Sequence, residues 1–256
     1  MNSKFTATLC AVMMSVLAAP RAVSEETRTT ARILVLTGNE YPGHKWTETA
    51  PAIVKFLSDD ARLKVELNKD PNFLADAKLF DYDAIVLNYM NWKCAGPGEK
   101  ARANLKAFVE HGKGLVLVHF ACGAFQDWPE FKTIAGRVWD PKARAHDTRG
   151  AFKVELAKTS HPILQGLSSF ETDDELYTCL TGEKEIEVLA TARSKVDLKE
   201  YPMAFVTVYG KGRVFNCTLG HDLAALNVPE VMELYRRGTA WAAQLPAAPP
   251  AAAEKK

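Results

Sequence analysis

Only five of the 256 residues are cysteines, and no two form a CxxC pair. HExxH and HxH motifs are also missing, so any metal site must be assembled from separate segments of the chain. Neither sign of charge dominates, with 32 Lys and Arg against 31 Asp and Glu. No basic stripe marks a nucleic-acid surface, and none is expected as a partner. A repeat of fixed period is absent, which excludes a repeat-built solenoid or propeller. The N-terminal apolar stretch, residues 7–19, is too short to span a bilayer comfortably.

What remains has the composition of an ordinary globular domain, 47% hydrophobic and 25% charged. That is enough to bury a sizeable core. Residues 1–24 read as a secretory signal peptide. Lys4 supplies the basic start, residues 7–19 the apolar region, and the small residues around Ala19 and Ala22-Val23-Ser24 the cleavage site. Its removal takes away Lys4 and Arg21 and no acid, so the net charge moves from +1 to −1. A periplasmic or secreted protein without stable membrane insertion is expected. Residues 25–245 form the domain, and the Ala/Pro-rich residues 246–256 read as a disordered tail. Export permits disulfides, yet the spacing of Cys94, Cys122, Cys179 and Cys217 pairs none of them. Cys217, inside an apolar run, reads as a small buried hydrophobe.

In the first half, apolar strand-like runs alternate with helical patterns. Strands are predicted near 32–37, 63–67, 84–87 and 115–118, and helices over 51–58 and 99–110. His111-Gly112 supplies the C-terminal cap of the second helix. Such alternation argues for a mostly parallel sheet covered by helices. The second half holds strands near 151–156, 187–191, 204–209 and 213–217, with a Gly210-Lys211 hairpin turn and a closing helix over 229–244.

Three of these runs lead straight into a histidine: RILVLTGNEYPGH at His44, GLVLVH at His119 and GRVFNCTLGH at His221. In parallel α/β sheets, ligands bind beyond the carboxyl ends of the strands. Three imidazoles delivered to that edge are candidate metal ligands or acid–base groups. Each alone could instead cap a buried strand. His44 lies near a helix N-terminus, which also suits an anionic or polarised oxygen. Asp222 stands beside His221 and could orient it. The acidic run Asp173-Asp174-Glu175, followed by Tyr177, offers a carboxylate ligand or base and a hydroxyl, or simply a solvated loop. Trp46, Trp92, Phe125 and Trp128 fall in predicted loops, where aromatic faces suit sugars or cover the core. Cys122 follows a strand as a nucleophile would, but Phe120 replaces the first glycine of a nucleophile elbow.

The segments GLVLVHFACGAF, HPILQGL, DDELYTCL and YGKGRVFNCTLGHD, with a closing RRGTAWAA, resemble the ThuA-like family, which takes its name from trehalose utilisation. The resemblance spans about residues 32–245. It implies an α/β fold of flavodoxin-like, class I glutamine amidotransferase-like type, a three-layer sandwich around a mostly parallel sheet. It also implies a link to disaccharides oxidised at C3, with His44, His119, Glu175, Tyr177 and His221 at the family's motif positions. His146 and His161 match positions seen in part of the family. The expected activity is His/Glu acid–base chemistry on a keto-sugar or 3-keto-glycoside. His119, Glu175, His221 and Tyr177 are the catalytic candidates, with His44, Trp46, Trp128, His146 and Asp222 as substrate contacts. His119, His221 and Glu175 could hold a divalent metal, zinc above all. No nucleotide cofactor is indicated. A non-catalytic sugar-binding module and a Cys122-dependent hydrolase are the alternatives.

Overall fold

A computed structural model describes residues 28–39 and 41–248. The signal segment, residues 1–24, lies outside the described residues, as does the tail from 249 onward. Nine strands form one mixed sheet in the order β2-β1-β3-β4-β9-β8-β7-β5-β6. They are β1 (Ala31–Gly38), β2 (Leu63–Asn68), β3 (Ala84–Tyr89), β4 (Gly114–Val118), β5 (Gly150–Leu156), β6 (Phe170–Asp174), β7 (Glu187–Arg193), β8 (Glu200–Tyr209) and β9 (Gly212–Cys217). The five strands from β2 to β9 in that order are mutually parallel. The remaining pairs are antiparallel.

The parallel strands are apolar on both sides because both faces are covered. Ile33, Val35, Val86, Val116 and Phe215 pack on one face with α1 (Trp46–Ser58) and α5 (Pro229–Ala242). Leu34, Leu36, Leu87, Leu117 and Val214 pack on the other with α2 (Glu99–Glu110) and α3 (Pro129–Ala135). Neighbouring residues of one strand thus enter different cores, as the two-residue strand period requires. Helix α5 approaches β9 closely at Gly238, where an added Cβ would lie 2.2 Å from the Phe215 ring.

His111 caps α2 and Gly112 follows at φ +108°, as the sequence indicates. The hairpin between β8 and β9 turns at Gly210, whose φ is +57°. The start of the expected disordered tail is held. Ala247 is buried, and Arg62 donates to the carbonyls of Pro246 and Ala248 at 2.8 and 3.2 Å. Among the described residues, no helix is long and apolar enough to cross a membrane.

Candidate functional site

Parallel pairing brings the carboxyl ends of β1, β4 and β9 to one edge of the sheet, and each delivers a histidine there. After β1 the chain turns at Tyr41-Pro42-Gly43, and His44 donates its N–H to the Tyr41 carbonyl at 2.9 Å. Its ring is buried against Phe120, with centroids 4.4 Å apart, and lies near Tyr41 and Trp92.

His119 follows β4 in a left-handed conformation, φ +43°, at the start of a 3-10 turn over His119–Gly123. A non-glycine residue adopts this only where its surroundings hold it. The restraint is visible: Nδ1 lies 2.6 Å from the Thr218 carbonyl, just past β9. A carbonyl only accepts, so Nδ1 carries the proton and Nε2 presents its lone pair to the site.

His221 follows Gly220, whose φ is +103°. Glu175 follows β6, the last strand in the sheet order. Its Oε2 lies 3.1 Å from His221 Nδ1 and 3.5 Å from His119 Nε2, and these two nitrogens are 3.3 Å apart. With His44, one donor atom from each of the four residues falls within 4.8 Å of every other. Four ligand atoms at zinc-ligand distance from a tetrahedral centre would stand roughly 3.4 Å from one another. The Glu175–His221–His119 spacings match that value.

His44 adds a second sign of fit. Neither of its ring nitrogens has a hydrogen-bond partner among the described residues, although both are buried. Buried polar atoms are nearly always paired, and a ligand role would supply the missing partner for one of them. The donor set is three imidazoles and one carboxylate, which suits zinc or another divalent ion.

The electrostatics separate these groups. Burial, reinforced by His119 and His221, pushes His44 down to about 2 and keeps it neutral. Burial opposes the charge on Glu175, but the imidazoles of His119 and His221 beside it outweigh this and hold it well below the usual carboxylate range. His221 is raised, chiefly by its hydrogen bond to Glu175.

Around this cluster, His146 Nε2 lies 3.7 Å from Glu175 Oε1. Tyr177 is buried edge-on to His119, at 4.7 Å between ring centroids, and forms an isolated bridge with His146. Asp222 caps α4 (Leu223–Leu226) and is paired with Arg149. Together with His221, Lys45 and Thr49 it lines a cleft of about 220 Å³. His44, Tyr177, His146 and Asp222 therefore lie with His119, Glu175 and His221, and His44 is one of the four residues whose donor atoms meet within 4.8 Å.

Other sequence candidates lie elsewhere. Trp128 packs on Phe125 and Phe131 and lines a different cavity, which corrects its expected place at the site. Trp46 opens α1, half-buried. His161 caps the 3-10 turn Pro162–Leu164 and packs against Trp241. Cys122 is fully buried, and burial pushes its thiol up to about 12, which removes the nucleophile reading. All four cysteines of the described residues are free. Sequence reasoning missed the Thr218 carbonyl, Arg149 and the packing of Phe120 on His44. Only Phe120, beside His119, carried any local signal.

A family model for ThuA, described as trehalose utilisation, matches residues 32–242. The chain belongs to the ThuA family. Among solved structures, a ThuA-like protein from Parabacteroides merdae ATCC 43184 superposes with a TM-score of 0.73 at 24% identity, covering 84% of this chain and 90% of that one. Another, from Bacteroides uniformis ATCC 8492, gives 0.65 at 20% identity, covering 87% and 95%. A cold-adapted β-galactosidase from Rahnella sp. R3 gives 0.58 at 16% identity, over 86% of this ThuA chain but 32% of the galactosidase. At these identities the likenesses show the fold alone. No curated protein matches the chain.

Proposed function

We propose that this ThuA-family protein is an exported carbohydrate-processing enzyme that acts on a keto-sugar or 3-keto-glycoside at the His/Glu cluster. The observation that carries the reading is the meeting of four donor atoms, from four separate segments, within 4.8 Å. The family description supplies the carbohydrate connection. The parallel order β2-β1-β3-β4-β9, with helices on both faces, supports a flavodoxin-type reading of the layers. The signal-like N-terminus supports a periplasmic or secreted location.

His44, His119, Glu175 and His221 would hold a divalent ion, zinc by preference. Such an ion supplies Lewis acidity toward a ketone oxygen. The remaining chemistry belongs to the side chains. His146 Nδ1 donates to the Asp147 carbonyl at 2.9 Å, which leaves Nε2 free to accept a proton. In the reaction, the C–H bond beside the ketone breaks, its electron pair forms a C=C bond as the C=O π pair moves onto the oxygen, and the proton passes to His146 Nε2. Glu175 is poorly suited to that step, because a carboxylate held below its usual range is a weak base. Its part is to orient His221, whose Nδ1 lies 3.1 Å from Oε2. Lys45, Thr49 and Asp222 offer donors and acceptors to sugar hydroxyls in the cleft.

Incubation with a 3-keto-disaccharide in D₂O tests the reading by mass spectrometry. Deuterium should enter at the carbon beside the ketone, and His146→Ala and His119→Ala should each abolish the exchange. Undiminished exchange in both variants would sink it. The aromatic wall of Tyr41 and Trp92 beside His44 also favours a second reading, a sugar-binding module. Tight glycan binding with neither exchange nor product would select that one.

A further inference from the structure

The acidic run before Tyr177 divides its three carboxylates among three tasks, of which the proposed function uses only Glu175. Asp173 faces outward and pairs with Arg149 Nε at 2.9 Å, and Arg149 also pairs with Asp222. Asp174 faces inward and is 1% exposed. Its Oδ2 accepts the Gly220 N–H at 2.6 Å, and its Oδ1 accepts the N–H groups of Glu175 at 2.8 Å and His221 at 3.2 Å. One buried carboxylate therefore holds the backbone of both Glu175 and His221, residues that follow the outermost strand β6 and the central strand β9.

We infer that Asp174 is the positioning residue that sets the spacing between Glu175 and His221. The inference rests on the proposed role of those two residues. Two stitches join the end of β6 to the 220–222 turn, and their settings decide which one matters. The outer stitch runs through Arg149, whose side chain is one-third exposed, to Asp173 and Asp222, at 62% and 40% exposure. Exposed ion pairs of this kind contribute little. The inner stitch consists of charge-assisted hydrogen bonds out of water, which are shorter and about twice as strong as neutral ones. A buried partner that orients a ligand typically changes metal affinity by about 10- to 100-fold when lost. Asp174 touches no substrate position and acts only through the residues it holds.

Asp174→Asn tests this directly. The amide keeps one acceptor oxygen, and in either orientation its NH₂ opposes at least one backbone N–H. Amide exchange by NMR on the protein without added metal reads the stitch itself, and calorimetric zinc titration reads its consequence. The amides of Glu175, Gly220 and His221 should exchange at least about tenfold faster, with those of β4 and β9 unchanged. Zinc should bind about 10- to 100-fold more weakly. Arg149→Ala should change either readout by less than about threefold. Asp174→Glu, which keeps the charge but shifts the oxygens, stands in if the Asn variant does not fold, with the same result expected. A folded Asp174 variant with parental exchange at the three amides overturns the inference. So does parental zinc affinity. If the parent takes up no zinc, the metal reading fails, and amide exchange alone decides the role of Asp174.

Discussion

Replacing His44 with Phe should make the metal-free protein more stable while ending metal uptake. The His44 ring is buried among Phe120, Tyr41, Trp92, His119 and His221. A neutral imidazole has one donor and one acceptor, and both ring nitrogens are without partners among the described residues. Each buried orphan costs about 1–3 kcal/mol. Phe removes both and keeps the stack on Phe120. Its larger ring takes back part of the gain through tighter packing, which leaves about 1–3 kcal/mol net. For a chain of this size that is roughly 2–4 °C in Tm per kcal/mol.

The pH dependence gives a second reading of the same substitution. Folded His44 titrates near 2, against 6.5 for an exposed histidine. Between those limits the unfolded chain binds a proton that the folded chain refuses, so stability falls as the pH falls. The limiting slope is about 1.4 kcal/mol per pH unit. Urea melts of metal-free protein between pH 6 and pH 4 should show this loss in the parent, and a shallower one in His44→Phe. Added zinc should raise Tm in the parent only. A His44→Phe protein that is less stable than the parent at pH 7, with an unchanged acid slope, would refute the reasoning.

Three further outcomes follow from packing and electrostatics. Gly238→Ala should destabilise by about 1–3 kcal/mol in a thermal melt, because its Cβ would meet the buried Phe215 ring at 2.2 Å. Iodoacetamide should label exposed Cys94 in the folded protein and leave buried Cys122 and Cys217 untouched, as peptide mapping can check. Zinc affinity should fall as the pH drops through the raised titration of His221, since a protonated imidazole cannot ligate, and calorimetry across pH 5–8 reads it.

Continuous apolar runs made β1, β3, β4 and β9 legible, and helical patterning did so for α2 and α5. The departures have local causes. The apolar spacing of Ile53, Phe56 and Leu57 predicts a helix over 51–58, yet α1 begins at Trp46 and carries Pro51 in its second turn. Pro202 argues against a strand before residue 204. It is nevertheless accommodated in β8 opposite Thr191, beside a register shift. The acidic run Asp173-Asp174-Glu175, readable as a solvated loop, instead begins inside the outermost strand β6, where alternate residues are buried. The three histidines were legible because strand ends in a parallel sheet share an edge. The role of Asp174 was not, since its partners Gly220 and His221 are 46 and 47 residues away. Nor was that of the Thr218 carbonyl, 99 residues from His119. Periodicity carries no information about such pairings.

Zinc titration of the chelator-treated protein, with His119→Ala alongside, tests the central claim most directly. The account predicts one zinc per chain in the parent, and none in a variant that remains folded. Absence of zinc uptake by folded parent protein, or equal uptake by His119→Ala, would contradict it.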